Sequence, residues 1–266
     1  MSAPPPRDLF SGTAHYYARY RPGYPEDFFQ HVISRFHLDA TARVLDLGCG
    51  TGQLAIPLAP HVAEAVGMDP EPEMLAEAAV QAQRAGLRNI RWVQGSDRDL
   101  DRRKDDLGIF RAVTIGRAFH WMDQDATLRT LAEMIKPEGG VVVVADNDLI
   151  WHVDGPMQEA VREAILRWLG PVRRAGSGVR TVFERFEDVF ARSPFPNLEV
   201  YYLLMHRTVT TDEVVGYLYS TSFCSPAVLG DKQAGFEADL RHTLHRIDPT
   251  DVFHQDVGLD AWLLTQ

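Results

Sequence analysis

The chain has 266 residues, of which 45% are hydrophobic and 24% charged, a composition typical of one well-buried globular domain with additional cap elements. Its 37 acidic residues outnumber its 27 Lys and Arg, and the net charge of −10 argues against a nucleic-acid-binding protein, which needs a basic face. The sequence lacks a signal peptide, a bilayer-spanning apolar segment and a disulfide framework, having only Cys49 and Cys224, so we expect a cytoplasmic protein with no membrane partner.

Short apolar segments rich in β-branched residues alternate with helical stretches over the first half of the chain. This pattern predicts strands at residues 43–47, 65–68, 90–94, 111–115 and 141–145, with helices at 53–61, 71–85 and 125–135. Alternation at this spacing is typical of right-handed crossovers in a doubly wound, Rossmann-like α/β sheet.

The pattern changes after residue 146. A helix is predicted at 157–169, followed by a flexible basic loop at 170–178 and a long strand at 198–210. Helices at 212–220 and 232–247 precede a last strand at 253–265. Together with the first five strands, these two give a sheet of seven strands.

A glycine loop follows the first strand, at Gly48-Cys49-Gly50-Thr51-Gly52. A dinucleotide-binding fingerprint would place its third glycine at position 53, where this chain has Gln53. Asp46, just before the loop, would repel a pyrophosphate but can accept hydrogen bonds from an ammonium group. Asp69 ends the second strand, where an acidic residue can bind ribose hydroxyls; a helix N-cap before Pro70 is the alternative.

Three segments, VLDLGCGTG (44–52), VGMDPEPEML (66–75) and KPEGGVVVV (136–144), resemble motifs of the class I S-adenosylmethionine-dependent methyltransferases. The resemblance covers about residues 10–147 and is to the small-molecule branch, with its ubiquinone-biosynthesis-like and trans-aconitate-like enzymes. It implies S-adenosylmethionine as cofactor, S-adenosylhomocysteine as product, and a small-molecule methyl acceptor. It also implies that Asp46, Gly48 and Gly50 hold the methionine end, that Asp69 holds the ribose, and that Met74 packs near the adenine. The other residues assigned to the cofactor are Tyr20, Arg21, Thr51, Gln53, Pro70, Gly116 and Ala118.

The segment after the third strand departs from the family pattern. Members often have G-D-A-E-x-L there, with the Asp reaching the adenine amino group, whereas this chain has GSDRDL at residues 95–100. Alignment without a gap gives that role to Ser96, and a one-residue shift gives it to Asp97. Both residues are candidates.

The tyrosine-rich segment FSGTAHYYARYRPGYP, residues 10–25, folds over the cofactor as a lid in similar family members. Its tyrosines, including Tyr16 and Tyr17, supply hydroxyls to an apolar pocket, and Arg21 can pair with the methionine carboxylate. The alternative is a surface helix packed on the sheet. We therefore expect a lid segment at 1–40, a cofactor-binding core at 41–147, and a mostly helical cap with the last strands at 148–266.

The turn after the fourth strand holds the candidate catalytic residues, because ligands in this fold lie beyond the carboxyl ends of the strands. His120 is a candidate general base, and Trp121 can stack on substrate or shield the sulfonium. A cofactor-shell role for His120 and plain packing for Trp121 are the alternatives. The candidate substrate residues, besides Tyr16 and Tyr17, are Arg117, Asp146, Asn147 and Tyr217. The histidines and cysteines lack metal-ligand spacing, so no metal is expected.

These observations predict a small-molecule methyltransferase acting as a monomer or a homodimer. The favoured reaction is N-methylation of an amine on an aminosugar of an aminoglycoside-like natural product, which would be a step of antibiotic biosynthesis. The alternatives are O- or C-methylation of a phenol, quinone precursor or small carboxylic acid, and a non-catalytic cofactor-binding relative. Gln53 disfavours an NAD-dependent oxidoreductase.

Overall fold

A computed structural model describes residues 10, 12–146, 150–151, 153–172, 174–175, 178–179 and 184–266. The helices of these residues are α1 (Ala14–Tyr20), α2 (Glu26–Arg35), α3 (Ala55–Leu58), α4 (Pro72–Arg84), α5 (Leu100–Leu107), α6 (Gln124–Glu133), α7 (Pro156–Leu169), α8 (Phe186–Ala191), α9 (Thr211–Tyr219), α10 (Pro226–Leu229) and α11 (Gln233–Ile247). The strands are β1 (Arg43–Leu47), β2 (Glu64–Asp69), β3 (Ile90–Gln94), β4 (Phe110–Gly116), β5 (Ile135–Asp146), β6 (Arg174–Ala175), β7 (Gly178–Val179), β8 (Asn197–Val209) and β9 (Phe253–Thr265).

Seven strands form one sheet in the order β3-β2-β1-β4-β5-β9-β8. The first five run parallel, while β9 pairs antiparallel with both β5 and β8. The chain order reverses between β1 and β4, which is where ligands bind in sheets of this kind. The predicted doubly wound, seven-stranded α/β fold is confirmed.

Helices cover both faces of the sheet. Since successive strand residues point to opposite faces, Leu45 and Leu47 pack on the side of α5, α6 and α8, and Val44 packs on the side of α2 and α3. Both layers are closed by fully buried residues such as Phe28 and Phe110. This packing fixes the carboxyl edge of the parallel strands as a rigid platform.

The later helices form a third apolar cluster outside the sheet. Helices α7, α9 and α11 pack together around Leu218, Phe236 and Leu240, which are fully buried. Tyr16 of α1 joins this cluster through an edge-on contact with Tyr219, at 5.3 Å between ring centroids. The cap is therefore attached to the N-terminal segment as well as to the strands.

Several element boundaries differ from the predicted ones. The helix expected over 53–61 is confined to Ala55–Leu58, followed by a 3-10 turn, because Pro57 and Pro60 interrupt regular hydrogen bonding. Strand β5 begins at Ile135, six residues before its predicted start. The helix predicted over 125–135 therefore ends earlier, at Glu133. No helix in the described ranges is long and apolar enough to cross a bilayer.

Candidate cofactor and acceptor site

The glycine loop turns sharply at the carboxyl end of β1. The backbone amides of Gly48 and Cys49 donate to the Met68 carbonyl, at 2.8 and 3.1 Å. Gly48 has φ +71°, and a Cβ there would lie 2.6 Å from the Cβ of Ala118. Only glycine therefore lets the β1 loop approach the turn that follows β4.

A cavity of about 620 Å³ opens between this loop and the ends of β2, β3 and β4. The residues that line it are Phe10, Tyr17, Gly48, Gly50, Asp69, Pro70, Glu71, Met74, Ser96, Asp97, Arg98, Gly116, Arg117, Ala118, Trp121 and Met122. The lining combines carboxylates with aromatic and thioether groups. The volume is in the range of pockets that enclose a nucleoside-sized ligand.

Asp69 presents a nearly buried carboxylate to this cavity. Its Oδ2 accepts from the Gly50 amide at 2.8 Å and its Oδ1 from the Glu71 amide at 2.9 Å. Burial raises the pKa of this carboxyl, while the two amides act to lower it. Each oxygen accepts only one of these bonds, so it retains lone pairs with which to accept hydroxyl groups.

Ser96 and Asp97 both line the cavity, on the turn after β3. The Ser96 amide and hydroxyl donate to Asp99 Oδ2, closing a capping box, at 2.9 and 3.2 Å. Asp97 Oδ2 accepts from the Asp123 amide at 3.0 Å, and burial raises the pKa of the Asp97 carboxyl. Both candidates for the adenine contact therefore remain at the site.

A second cavity of about 300 Å³ adjoins the first beneath the cap. It is lined by Phe10, Tyr17, Arg21, Arg117, His120, Trp121, Ala145, Asp146, Phe186, Tyr217, Thr221, Ser222 and Phe223. Phe10, Tyr17, Arg117 and Trp121 line both cavities. The two spaces thus share a wall built from the N-terminal segment and the turn after β4.

Two arginines line the second cavity, and one of them, Arg117, also lines the first. Arg21 lies over the rings of Tyr17 and Tyr217, and its Nε donates to Ser220 Oγ at 2.9 Å. The Arg117 side chain is 6% exposed and forms an ion pair with Asp146 at 3.3 Å.

Arg117 also joins the N-terminal segment to the glycine loop. Its Nη2 donates to the Pro22 carbonyl at 2.7 Å and to Gln53 Oε1 at 2.8 Å, and its guanidinium lies over the Tyr24 ring. The buried charge is therefore compensated by one carboxylate and several acceptors, which holds this wall in place.

Comparison with known proteins gives the chemical family. Residues 44–139 match the family model described as a methyltransferase domain. An uncharacterized methyltransferase of Mycobacterium tuberculosis is 28% identical over 226 residues, which cover 84% of this chain and 81% of that protein. The chain therefore carries a methyltransferase domain, and these likenesses support the predicted class I S-adenosylmethionine-dependent methyltransferase.

Two further likenesses accompany this assignment. A ubiquinone biosynthesis O-methyltransferase of Azorhizobium caulinodans is 33% identical over 127 residues, covering 48% of each chain. The crystal structure of a methyltransferase from Thiobacillus denitrificans, determined in complex with S-adenosyl-L-homocysteine, shares the fold with a TM-score of 0.51. That likeness covers 100% of this chain and 99% of the other at 17% identity.

Most residues predicted for the methyltransferase site lie at the two cavities, but Tyr16, Tyr20, Asp46, Thr51 and Gln53 do not line either one. The Tyr20 ring packs against Gly216 of the cap, where a Cβ would lie 2.3 Å away. Thr51 is buried in the loop, and Gln53 is engaged by Arg117. Asn147, a candidate substrate residue, lies outside the described residues.

Asp46 is buried behind the loop of the methyltransferase rather than facing the cavity. Its Oδ2 accepts from the Ala55 amide and its Oδ1 from the Thr114 hydroxyl, both at 3.0 Å. It therefore joins β1 to the start of α3 and to β4. Burial raises the pKa of the Asp46 carboxyl to about 7, against the opposing effect of these two donors.

Replacing Asp46 with asparagine should change how stability depends on pH. A folded-state pKa raised from 3.8 to about 7 means that Asp46 stabilises the fold at acid pH and that this contribution is lost as pH rises through 7. Between pH 4 and 8 the free energy of unfolding of D46N should rise relative to wild type by a few kcal/mol, since each pKa unit corresponds to about 1.4 kcal/mol. Urea unfolding across this range measures the difference.

The exposed Asp101→Asn variant is the matched control and should follow the wild-type curve. Parallel curves for D46N and wild type would contradict the assigned pKa direction. S-adenosylhomocysteine titration of the same variant also tests the predicted contact with the methionine end, which would require a large loss of affinity.

Sequence reasoning missed Phe10, Met122, Phe186 and Phe223 as lining residues of the methyltransferase. Phe186 and Phe223 lie on elements far along the chain from the glycine loop, and neither carries a local motif. Phe10 opens the tyrosine-rich segment predicted as a lid, and Met122 directly follows the predicted His120-Trp121 pair, so both of these positions carried a signal in the sequence.

Proposed function

We propose that this methyltransferase transfers the methyl group of S-adenosylmethionine from the first cavity to a small planar acceptor in the second. The observation that carries the proposal is the wall shared by the two cavities, formed by Phe10, Tyr17, Arg117 and Trp121. A donor and an acceptor in these neighbouring cavities would lie next to each other, and in methyl transfer much of the rate enhancement comes from such proximity and alignment.

In the first cavity, Asp69 accepts the ribose hydroxyls, and Gly48 and Gly50 border the methionine end. Met74, which is 3% exposed and lines the cavity, packs against the adenine together with Ser96 or Asp97. Pro70, Gly116 and Ala118 complete the walls. These assignments follow from the predicted motifs and from the position of each residue at the cavity.

The second cavity favours an aromatic acceptor carrying a hydroxyl group. Aromatic rings stack best on planar ligands, and the wall includes Trp121, Phe186, Tyr217 and Phe223. The guanidinium groups at the wall suit a phenolic oxygen that develops negative charge. The similarity to an O-methyltransferase of ubiquinone biosynthesis, which extends over 48% of the chain, agrees with this acceptor class.

An aminosugar amine is the second candidate, because Asp146 places a carboxylate at the same cavity. That carboxylate is paired with Arg117 at 3.3 Å. The other ionisable side chains that line the cavity are cationic or neutral. A polyamine ligand would therefore meet an arginine-rich wall, which disfavours it. A role in antibiotic biosynthesis depends on this second candidate.

Methyl transfer requires three things of the protein: alignment of the reactants, exclusion of water and removal of a proton from the acceptor. Bound S-adenosylmethionine would supply an activated methyl group to the phenolic oxygen, with S-adenosylhomocysteine as the leaving group. His120, which lines the acceptor cavity, takes the phenolic proton. Helix α1 covers the site as a lid: Gly12 N donates to Glu73 Oε2 on α4 at 2.9 Å, and the α1 face packs on α9 of the cap.

A panel of phenols, aromatic acids and aminosugars incubated with methyl-labelled S-adenosylmethionine tests the acceptor class. We expect turnover of phenols, with Tyr217→Ala raising KM for the phenol by about tenfold through lost stacking while S-adenosylhomocysteine affinity is retained. Ile247→Ala, at an exposed position at the end of α11, is the control. Turnover confined to amines would overturn the acceptor class but not the methyltransferase activity.

A further inference from the structure

Strand β8 forms one edge of the seven-stranded sheet. It is 13 residues long and pairs with β9 in continuous register from Asn197 to Val209, with no bulge. It contains no proline, and its outer side pairs with no other strand among the described residues. Proteins ordinarily shorten, bulge, charge or cover such an edge, because its unpaired backbone groups recruit another strand.

One face of β8 carries an exposed apolar stripe. Leu198, Val200, Tyr202 and Leu204 alternate along the strand and are 44%, 55%, 61% and 48% exposed. These four are among the most exposed large apolar side chains of the described residues, and they are contiguous. A contiguous apolar patch beside an open sheet edge is typical of a protein interface.

The charges of β8 favour a second copy of the same strand as the occupant. Glu199 lies near its start and Arg207 near its end, and both point to the face opposite the stripe. When two antiparallel copies meet about a twofold axis at Leu203, Glu199 stands opposite the partner's Arg207, and the same pair forms again by symmetry. This register aligns the whole strand with its copy, as an isologous interface requires.

The same register also brings the two stripes together at the axis. Tyr202 faces the partner's Leu204, while Val200 and Leu198 face the partner's His206 and Thr208, so the apolar contact is centred on the two Tyr202–Leu204 pairs. Shifting by one residue would put the exposed side chains of one strand opposite the half-buried side chains of the other, which the alternation of the strand disfavours. Glu199 accepts from Arg35 at 2.9 Å and His31 at 3.1 Å within its own chain and is 42% exposed, so its carboxylate is fixed and accessible.

We propose that the methyltransferase is a homodimer in which two β8 strands pair antiparallel, giving one continuous fourteen-stranded sheet. Each strand supplies backbone donors and acceptors to the other, and the joined stripe removes apolar surface from water. A contact through one strand and its stripe is at the small end of protein interfaces, so we expect micromolar rather than nanomolar affinity.

Sedimentation velocity over a range of concentrations tests the proposal. Wild type should dimerise, and Val200→Lys with Tyr202→Lys should weaken the dimer at least about 100-fold, since the two ammonium groups introduced at position 202 would replace the apolar contacts with the partner's Leu204 and would lie diagonally across the axis from each other. The control, Val80→Lys with Leu166→Lys, alters residues of similar exposure, 40% and 44%, away from β8 and should leave the dimer intact. A monomeric wild type, or a dimer that survives the β8 lysines, overturns the proposal.

Cysteine cross-linking tests the register. Leu203→Cys should form an intermolecular disulfide under oxidation, because residue 203 faces its own copy at the axis. Met205→Cys should not, since it faces the partner's Tyr201 and its own copy lies four residues along, beyond disulfide reach. The native Cys49 and Cys224 are buried and do not interfere. Cross-linking of the 205 variant but not the 203 variant overturns the register.

Discussion

Replacing Asp69 with alanine should weaken S-adenosylhomocysteine binding by about 1–3 kcal/mol, because a buried diol loses its charged acceptor. This corresponds to about 5- to 150-fold in affinity. The carboxylate lines the cofactor cavity at 7% exposure and is held in place by the Gly50 and Glu71 amides. Titration calorimetry at one pH measures the change.

The Asp69 variant can also weaken ligand binding indirectly, through the backbone amides that its carboxylate holds. Losing the carboxylate leaves the Gly50 amide without its partner, so the glycine loop itself can shift. The 2′,3′-dideoxy analogue of S-adenosylhomocysteine separates the two effects. If Asp69 binds the diol, the mutation should weaken the parent ligand far more than the analogue. Equal losses for both ligands would mean that Asp69 only anchors the loop, and unchanged affinity would remove it from the site.

Much of the sheet could be predicted because its strands are defined locally. Buried parallel strands such as β1 and β4 are short apolar runs between polar turns, and their predicted positions agree with the structure to within a residue or two. The long antiparallel strands β8 and β9 were also found, although β8 alternates between exposed and half-buried residues because only one of its faces is covered.

One of the helices that were not predicted lacks that local signal. Helix α5, with the sequence LDRRKDDL, buries only Leu100 and Leu107, so it carries almost no apolar periodicity. It therefore depends on tertiary packing for its stability more than on pattern. Helix α2 differs, because it begins after Pro25 with Glu26 and Asp27 in its first turn and buries Phe28, Phe29 and Val32, so its sequence does carry a helix signal.

At the site, too, some residues are defined by local sequence and others by tertiary packing. Gly48, Gly50 and Asp69 could be placed because a motif links each residue to a position on the fold. Asp46 belongs to the same motif, yet the direction of its side chain depends on the pairing of β1 with β4, where Thr114 stands opposite and donates to it. Sequence spacing fixes a residue's place along a strand but not the partners that surround it.

His120 gives the largest expected effect on turnover. It lies on the turn after β4, is half-buried, and lines the acceptor cavity beside Trp121, with 4.6 Å between the two ring centroids. Removing a general base typically lowers the rate by about 10²–10⁴. His120→Ala should therefore lower kcat for a phenol by that order while S-adenosylhomocysteine affinity stays nearly unchanged, as measured by steady-state kinetics and calorimetry.

The pH profile distinguishes proton transfer from a structural role. An imidazole accepts a proton only in its neutral form, so the wild-type rate should rise with pH as His120 deprotonates, and H120A should lose that rise. His245→Ala, an exposed position on α11, is the matched control and should keep both rate and profile. If His120 instead orders the cofactor loop, H120A would bind S-adenosylhomocysteine poorly and retain the wild-type profile. A variant with wild-type kcat at saturating substrates would leave alignment and exclusion of water as the whole mechanism.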